Sequence, residues 1–162
     1  MQPMPRLTMR RCVCTVLLCA VAMAGQTEPG DLPLLQSKAY LQISPAGQAE
    51  LEALFATLED AVAAGEAQPD PVVVVLHGPE ARRFLRRNYL DNQPLVDRAA
   101  KLRAFDRIEL RMCETWMRSN GVGRGDLLPF VDTIPLAPAE VERLEREGYL
   151  PFSRIVPSTP LL

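Results

Sequence analysis

Histidine is almost absent from this sequence of 162 residues, and the one that it has is His77. A Ser-His-Asp order cannot be drawn around it, and a zinc site built on His-x-x-x-His spacing needs two histidines. The common hydrolase and zinc-enzyme classes are therefore excluded. We expect a protein that holds no metal and no cofactor.

Long apolar runs are also rare, and the one that stands out lies near the N-terminus, over Cys12–Val21. It follows a start that has three arginines and no acid, and it closes on the small residues of Ala22-Met23-Ala24. A membrane-spanning helix needs roughly 20 apolar residues, whereas a positive start, a short apolar middle and an A-x-A end form a secretory signal. We predict a signal peptide over residues 1–24 that is cleaved after Ala24, and a periplasmic or secreted location.

Removal of 24 of the 162 residues leaves a mature chain of 138 residues, which is a common size for one domain. The mature chain keeps all 20 acids but only 15 of the 18 bases, so its net charge is −5. Binding to nucleic acid or to an anionic membrane usually needs a basic surface. We therefore expect neither nucleic acid nor a membrane as a partner after cleavage.

Cysteine is scarce once the signal is removed, because Cys12, Cys14 and Cys19 leave with it. The mature chain then holds Cys113 alone, so it can form neither an internal disulfide nor a cysteine-based zinc site. An unpaired cysteine in an oxidising compartment is buried and inert, is paired between chains, or is a reactive thiol. The sequence leaves these three alternatives open.

Apolar periodicity predicts alternating strands and helices after a tether at residues 25–37 that contains proline and glycine. Val72–Leu76 is apolar on both faces, as in a strand of a parallel sheet. Such alternation gives a parallel sheet with helices on both faces, so we expect a three-layer α/β domain over residues 38–162. The predicted strands are Lys38–Ser44, Val72–His77, Asp106–Cys113 and Val131–Leu136, and the predicted helices are Pro45–Ala64, Glu80–Asn88, Pro94–Ala104, Glu114–Asn120 and Pro138–Gly148.

Two reactive side chains end predicted strands: His77 ends the second and Cys113 ends the third. Ligands of open parallel sheets bind beyond the carboxyl ends of the strands, so both are candidate site residues. A helix start after Cys113 would stabilise its thiolate, whereas the charge of Glu114 would oppose it. Each candidate has a structural alternative, since Cys113 can be a small core hydrophobe and His77 a turn residue bonded to backbone. Periodicity does not determine whether the two strands are neighbours.

Two further motifs could hold an anion. Gly121–Asp126 is rich in glycine but lacks the Gly-Lys-Ser/Thr ending of a phosphate-binding loop, so we interpret it as a connector. A cluster of four arginines has helical spacing, which is typical of a solvated face that is paired with acids. These arginines are Arg82, Arg83, Arg86 and Arg87.

Four motifs of the mature chain occur in an order that resembles the DsrE/DsrF-like family of small α/β proteins. The resemblance covers about Lys38 to Phe152 and implies a flavodoxin-like domain that commonly forms homo-oligomers. In the sulfur-oxidation members a cysteine after a strand accepts and passes on sulfur as a persulfide, and Cys113 has a comparable position. The motifs are Leu76-His77-Gly78-Pro79 after Val72, Cys113 at a strand end, Asp126-Leu127-Leu128-Pro129 after Gly121, and Glu147-Gly148-Tyr149 after Val141 and Leu144.

The chain departs from this family at Thr115 and Trp116, where many relatives of the uncharacterised branch carry Asn-Thr. A bulky indole at Trp116 could shield the thiol or line a different pocket. The sulfur-relay members also work with cytoplasmic partners, whereas this chain is predicted to be exported.

These observations lead to two main hypotheses. In the first, the protein is a periplasmic sulfur carrier in which Cys113 is the catalytic residue, His77 polarises the incoming group, and a sulfur donor or acceptor protein is the partner. In the second, the domain is a non-catalytic module that binds a small anionic or thiol ligand through His77, backbone N–H groups near Gly78 and Thr115, or that builds a homo-oligomer. The sequence does not decide whether the protein is an enzyme.

Overall fold

The computed structural model describes residues 37–43, 47–68 and 70–152. The strands in these ranges are β1 Ala39–Gln42, β2 Val72–Leu76, β3 Ile108–Cys113, β4 Val131–Ile134 and β5 Leu150–Pro151. They form one sheet in the order β4-β3-β2-β1-β5, and every neighbouring pair is parallel. The predicted signal peptide lies outside the described residues, as do nearly all of the predicted tether and the predicted start of the first helix at Ser44 and Pro45.

The described residues form four α-helices: α1 Gln48–Ala63, α2 Gln93–Ala104, α3 Glu114–Ser119 and α4 Ala137–Arg146. α1 and α2 pack on one face of the sheet over the larger core cluster, and α4 packs on the other face over a second cluster. The connections from β1 to β2, β3 and β4 each move one strand further in the same direction across the sheet, whereas the connection from β4 returns to β5 on the other side of β1. Because parallel crossovers are right-handed, this reversal places α4 on the face opposite α1 and α2. The predicted three-layer α/β fold with a parallel sheet is confirmed.

β2 lies in the centre of the sheet, and all five of its residues are buried. Val72, Val74 and Leu76 belong to the larger cluster, whereas Val73 and Val75 belong to the second. Successive side chains of a strand point to opposite faces, so an unbroken apolar run fills both cores. The unbroken apolar sequence of this strand predicts that helices cover both of its faces.

The apolar stripe of α1 is buried against the larger cluster through Leu51, Leu54, Phe55 and Leu58. Full burial of one such side chain contributes about 1.5–3 kcal/mol relative to exposure. The helix ends where the sequence predicts, since Gly65 follows it with a φ of 71°. Residues with a side chain rarely adopt this left-handed conformation, and glycine adopts it readily.

The predicted helix over Glu80–Asn88 is wrong, and the chain forms short 3-10 turns there instead. Leu85 is the reason, because it is buried in an extended conformation with φ −89° and ψ 138° and forms an antiparallel bridge with Leu127. An extended residue interrupts a helix, and a partner so distant in sequence gives no local signal. The turns cover Pro79–Phe84, Arg86–Asn88 and, just before α2, Leu90–Asn92.

Each of the four predicted strands is shorter in the structure by one or more residues, with β2 ending at Leu76 and β4 at Ile134, and a fifth strand is added. The sequence pattern does not predict β5, because two residues are too few for an alternation of period two. β5 pairs with β1, and the N–H of Leu150 donates to the carbonyl of Lys38 at 2.8 Å. β3 begins at Ile108 rather than at Asp106, which lies in a turn with a φ of 52°.

A network of charged side chains joins α4 to the sheet. Arg111 of β3 donates hydrogen bonds to Glu109 of the same strand and to Glu140 of α4. Glu140 also accepts from Arg143 at 2.7 and 3.0 Å, and Arg143 donates to Glu147 at 2.5 Å. The hydrogen bonds from Arg143 and Arg111 hold the pKa of Glu140 below its ordinary value, although burial acts in the opposite direction. Glu140 is therefore charged at neutral pH.

Replacement of Glu140→Gln is expected to lower the free energy of unfolding by about 1–3 kcal/mol at pH 7, because the largely buried Arg111 loses a charged partner. A carboxyl group with a lowered folded pKa stabilises the fold above its unfolded pKa, and this stabilisation is lost as the pH falls through the folded value. Urea denaturation at pH 7 and at about pH 3, below the usual range for glutamate, should therefore show a smaller deficit at the lower pH.

Glu142→Gln is the matched control, since Glu142 is exposed on the same helix. Its effect on the free energy of unfolding should stay within about 0.5 kcal/mol. An equal loss in the two variants, or a Glu140→Gln deficit that does not change with pH, would contradict the assigned role of the network.

Candidate functional site

His77 and Cys113 lie next to each other at the carboxyl ends of two neighbouring strands. β2 and β3 are parallel neighbours, and Leu76 is in register with Met112. The residues that follow these two, His77 and Cys113, are therefore adjacent at the end of the two strands. Cys113 belongs to the core cluster on the α4 side of the sheet, and the period of two places His77 on that side as well. The structure thus brings together the two residues whose proximity the sequence leaves open.

Both residues line a cleft of about 230 Å³ at the carboxyl end of the sheet. Cys113 is a free cysteine and only 4% of it is exposed. Trp116 of α3 is half-buried and packs against both core clusters, so it is a packing residue and also a wall of the cleft. Leu136 gives the cleft an apolar side chain that is 45% exposed. The lining residues are His77, Cys113, Thr115, Trp116, Ser119, Leu136, Ala137 and Pro138.

The imidazole of His77 has a side-chain neighbour in β1. Its Nε2 lies 3.3 Å from Nε2 of Gln42, and the roles of donor and acceptor depend on the tautomer of the ring and on the orientation of the amide. Because an amide offers both a donor and an acceptor, Gln42 can orient the ring in either tautomer. Sequence reasoning missed Gln42, because the first strand is predicted to continue to Ser44, whereas β1 ends at Gln42.

The backbone at His77 and Gly78 is held by a buried carboxylate. Oε1 of Glu80 accepts the N–H of His77 at 3.1 Å and the N–H of Gly78 at 2.8 Å, and Glu80 is 7% exposed. A Cβ at Gly78 would lie 2.4 Å from Oε2 of Glu80, so only glycine leaves room for this approach. The N–H of Gly78, predicted to bind a ligand anion, already donates to the protein's own carboxylate. An anion bound there would have to displace Glu80.

Thr115 connects two walls of the cleft. Its Oγ1 donates to the carbonyl of Pro135 at 3.1 Å and accepts from Nη2 of Arg118 at 3.0 Å. The first of these bonds joins α3 to the loop between β4 and α4. Thr115 lies in the cleft, and its hydroxyl proton is already used within the protein, so toward a ligand it offers an acceptor.

Glu114 follows Cys113 directly, and its charge is matched by arginine. Oε1 of Glu114 accepts from Nη2 of Arg124 at 2.5 Å and from Oγ1 of Thr133 at 3.0 Å, and Arg118 lies 3.9 Å from Oε2. The hydrogen bonds from Arg124 and Thr133 hold the pKa of Glu114 below its usual range. Glu114 is therefore ionised, and the paired arginines reduce the repulsion that we expect between its carboxylate and a thiolate at Cys113. The glycine-rich loop acts here as a connector that supplies Arg124.

The described residues offer neither a metal-binding cluster nor a helix that could span a membrane. Within residues 37–43, 47–68 and 70–152, no group of three or more His, Cys, Asp or Glu side chains could hold a metal ion. No helix of the same ranges is long and apolar enough to cross a membrane.

Comparison with known proteins supports the fold. Neither a protein-family model nor a curated protein sequence matches this chain. A solved structure of a protein of unknown function from Methanobacterium thermoautotrophicum is similar, with a TM-score of 0.56 and 18% sequence identity. The match covers 71% of this chain and 98% of the other. At this identity the likeness concerns the flavodoxin-like α/β fold alone, and the resemblance to DsrE/DsrF-like proteins stays a prediction.

Replacement of Gly78→Ala is expected to displace the Glu80 carboxylate and to lower the free energy of unfolding by about 1–3 kcal/mol, because two backbone N–H groups lose their acceptor. In a Glu80→Ala background the steric conflict is absent, so the same replacement should destabilise the protein less. Urea denaturation of the two single variants and the double variant measures this coupling.

Gly125→Ala is the control, since a Cβ at Gly125 would meet no atom within 4 Å. Its effect should stay within about 0.5 kcal/mol. If the free-energy changes of Gly78→Ala and Glu80→Ala simply add in the double variant, the close approach of the two residues does not hold in solution.

Proposed function

We propose that this protein is an exported sulfur carrier in which Cys113 accepts sulfur as a persulfide. The observation that carries the proposal is that the chain's single histidine and Cys113 line one cleft. The two side chains form no hydrogen bond with each other within the described residues, but a base that shares a cleft with a thiol can activate a cysteine nucleophile when the two come within hydrogen-bond distance. The resemblance to DsrE/DsrF-like proteins supports the same role for Cys113.

The proposed step moves one sulfur atom from a small persulfide donor, R–S–SH. The Cys113 thiol gives its proton to His77, and its sulfur attacks the outer sulfur of the donor. The new S–S bond forms as the S–S bond of the donor breaks, and the bonding pair leaves with R–S⁻. His77 returns the proton to R–S⁻, so the products are the Cys113 persulfide and R–SH, and no external oxidant or reductant is needed.

The surroundings of the pair suit this step. Gln42 contacts the ring of His77, and Glu80 holds the backbone next to it, so the imidazole is supported from two elements. Trp116 and Leu136 give the cleft apolar walls.

A second candidate function is a non-catalytic module for a small anionic or thiol ligand, and the low exposure of Cys113 favours it. A thiol that is 4% exposed can serve as part of a binding wall without reacting. His77 and Thr115 would then supply the polar contacts. Assembly into a homo-oligomer is compatible with either function, since β4 has no second neighbouring strand among the described residues.

Incubation of the mature protein with polysulfide should add the mass of one sulfur atom per chain, and Cys113→Ser should add none. Replacement of His77→Gln should slow the uptake by about 100-fold or more, because the proton of the thiol loses its acceptor. Mass spectrometry of quenched time points measures both rates.

Ser119→Ala is the control, since Ser119 lines the same cleft and has no assigned role in the proton transfer. It should take up sulfur at the rate of the unaltered protein. Uptake that persists in Cys113→Ser, or alkylation of Cys113 by iodoacetamide only after unfolding, would sink the carrier proposal. The second result would favour the binding module.

A further inference from the structure

Four arginines between β2 and α2 have no carboxylate partner in the described part of the chain. Three of them donate to neutral oxygens: Arg82 to Oδ1 of Asn120 at 3.1 Å, Arg83 to Oε1 of Gln48 at 2.5 Å, and Arg86 to the carbonyl of Leu127 at 2.7 Å. Arg87 is exposed and has no hydrogen-bond or ion-pair partner among the described residues. We call Arg82, Arg83, Arg86 and Arg87 the arginine surface.

Most of the other described arginines do pair with carboxylates, as Arg98 does with Glu59 at 2.8 Å and as others do on β3, α3 and α4. The exceptions are Arg107, which donates to the backbone carbonyl of Glu66, and Arg146. The expectation that the cluster pairs with acids is therefore wrong within the described ranges. The nearby carboxylates of the described residues form no ion pair with it. Glu80 is buried against the backbone of His77 and Gly78. Glu52 and Asp91 line a pocket together with Arg83 without a salt bridge to it.

Arg82 is the member of the arginine surface that lies nearest to the cleft that contains Cys113. Its segment follows His77 and Gly78 directly, at the carboxyl end of β2. Arg82 bonds to Asn120, the residue after Ser119, which lines the cleft. A partner protein that delivers sulfur to Cys113 has to approach this same edge of the sheet.

We propose that the arginine surface docks an acidic segment of the protein that exchanges sulfur with Cys113. The identity of this partner as a sulfur donor or acceptor rests on the proposed function. The argument for an acidic segment is charge complementarity, since a guanidinium group offers five N–H donors and binds a carboxylate with two of them at once. The three bonded arginines each donate one hydrogen bond within the described structure, so further donors are free for a partner.

The directions of the head groups favour an extended partner over a small anion. Arg82 reaches toward the end of α3, whereas Arg83 reaches toward the start of α1. A single phosphate or sulfate group cannot bind at the same time to two guanidinium groups that point toward different helices. A peptide segment that carries several carboxylates can contact them in succession, and its attraction weakens as salt increases.

The test measures binding of a fluorescein-labelled oligoglutamate peptide to the mature protein by fluorescence anisotropy at low and high salt. The double replacement Arg83→Gln with Arg87→Gln should raise Kd roughly tenfold and reduce its salt dependence. Lys101→Gln with Arg146→Gln is the control with the same change of charge, because both residues are exposed and have no ion-pair partner in the described ranges. The control should leave Kd unchanged.

An equal rise of Kd in the control overturns the proposal, because binding would then depend on total charge rather than on this surface. Tighter binding to vesicles of phosphatidylglycerol and phosphatidylcholine, with the same dependence on Arg83 and Arg87, overturns it in favour of a membrane. Sulfur uptake from polysulfide is measured on the same variants. Unchanged uptake together with weakened peptide binding supports docking, whereas failed uptake by the unaltered protein contradicts the carrier function and leaves the peptide result to be judged separately.

Discussion

The parallel pairing of β2 with β3 is the constraint on which the candidate site depends. Its register sets Leu76 beside Met112, and as a result His77 and Cys113 leave the sheet together on one face. A slip of one residue would turn one of the two side chains to the opposite face. β2 cannot prevent such a slip by itself, because it is apolar on both faces and either orientation would fill the cores.

The orientation of β3 supplies the missing specificity. Its apolar residues are buried in the larger cluster, whereas Arg111 on the opposite face pairs with Glu140 of α4. If the two faces of β3 were exchanged, the charged guanidinium of Arg111 would lie in an apolar core, which is very unfavourable without a partner. Cys113 lies two residues beyond Arg111 and shares its face. The charge network that joins α4 to the sheet therefore also directs the thiol of Cys113 toward the face of the sheet that α4 covers. The first residues of α4 line the cleft on that face.

The sequence predicts the elements of the site better than their contacts. The run Val72–Leu76 and the stripe of α1 carry their own periodic signals, and the same patterns place His77 and Cys113 at strand ends. Periodicity contains no information on which strands are neighbours, so it could not pair these two residues or find the contact of Gln42. The bridge at Leu85, which breaks a predicted helix, is likewise set by packing between distant segments. Local pattern and tertiary contact are separate sources of information here.

In the proposed function, recognition and chemistry use different surfaces for a physical reason. The walls formed by Trp116 and Leu136 suit a buried sulfur, and they offer little to the carboxylates of a partner protein. A partner therefore needs contacts outside the cleft, and the arginines of the arginine surface form no salt bridge with a carboxylate of the described ranges. At physiological salt, charges act over about 8 Å, so they can orient a partner before its sulfur enters the cleft. Cys113 can then stay buried between encounters, because the charged surface that finds the partner remains in water.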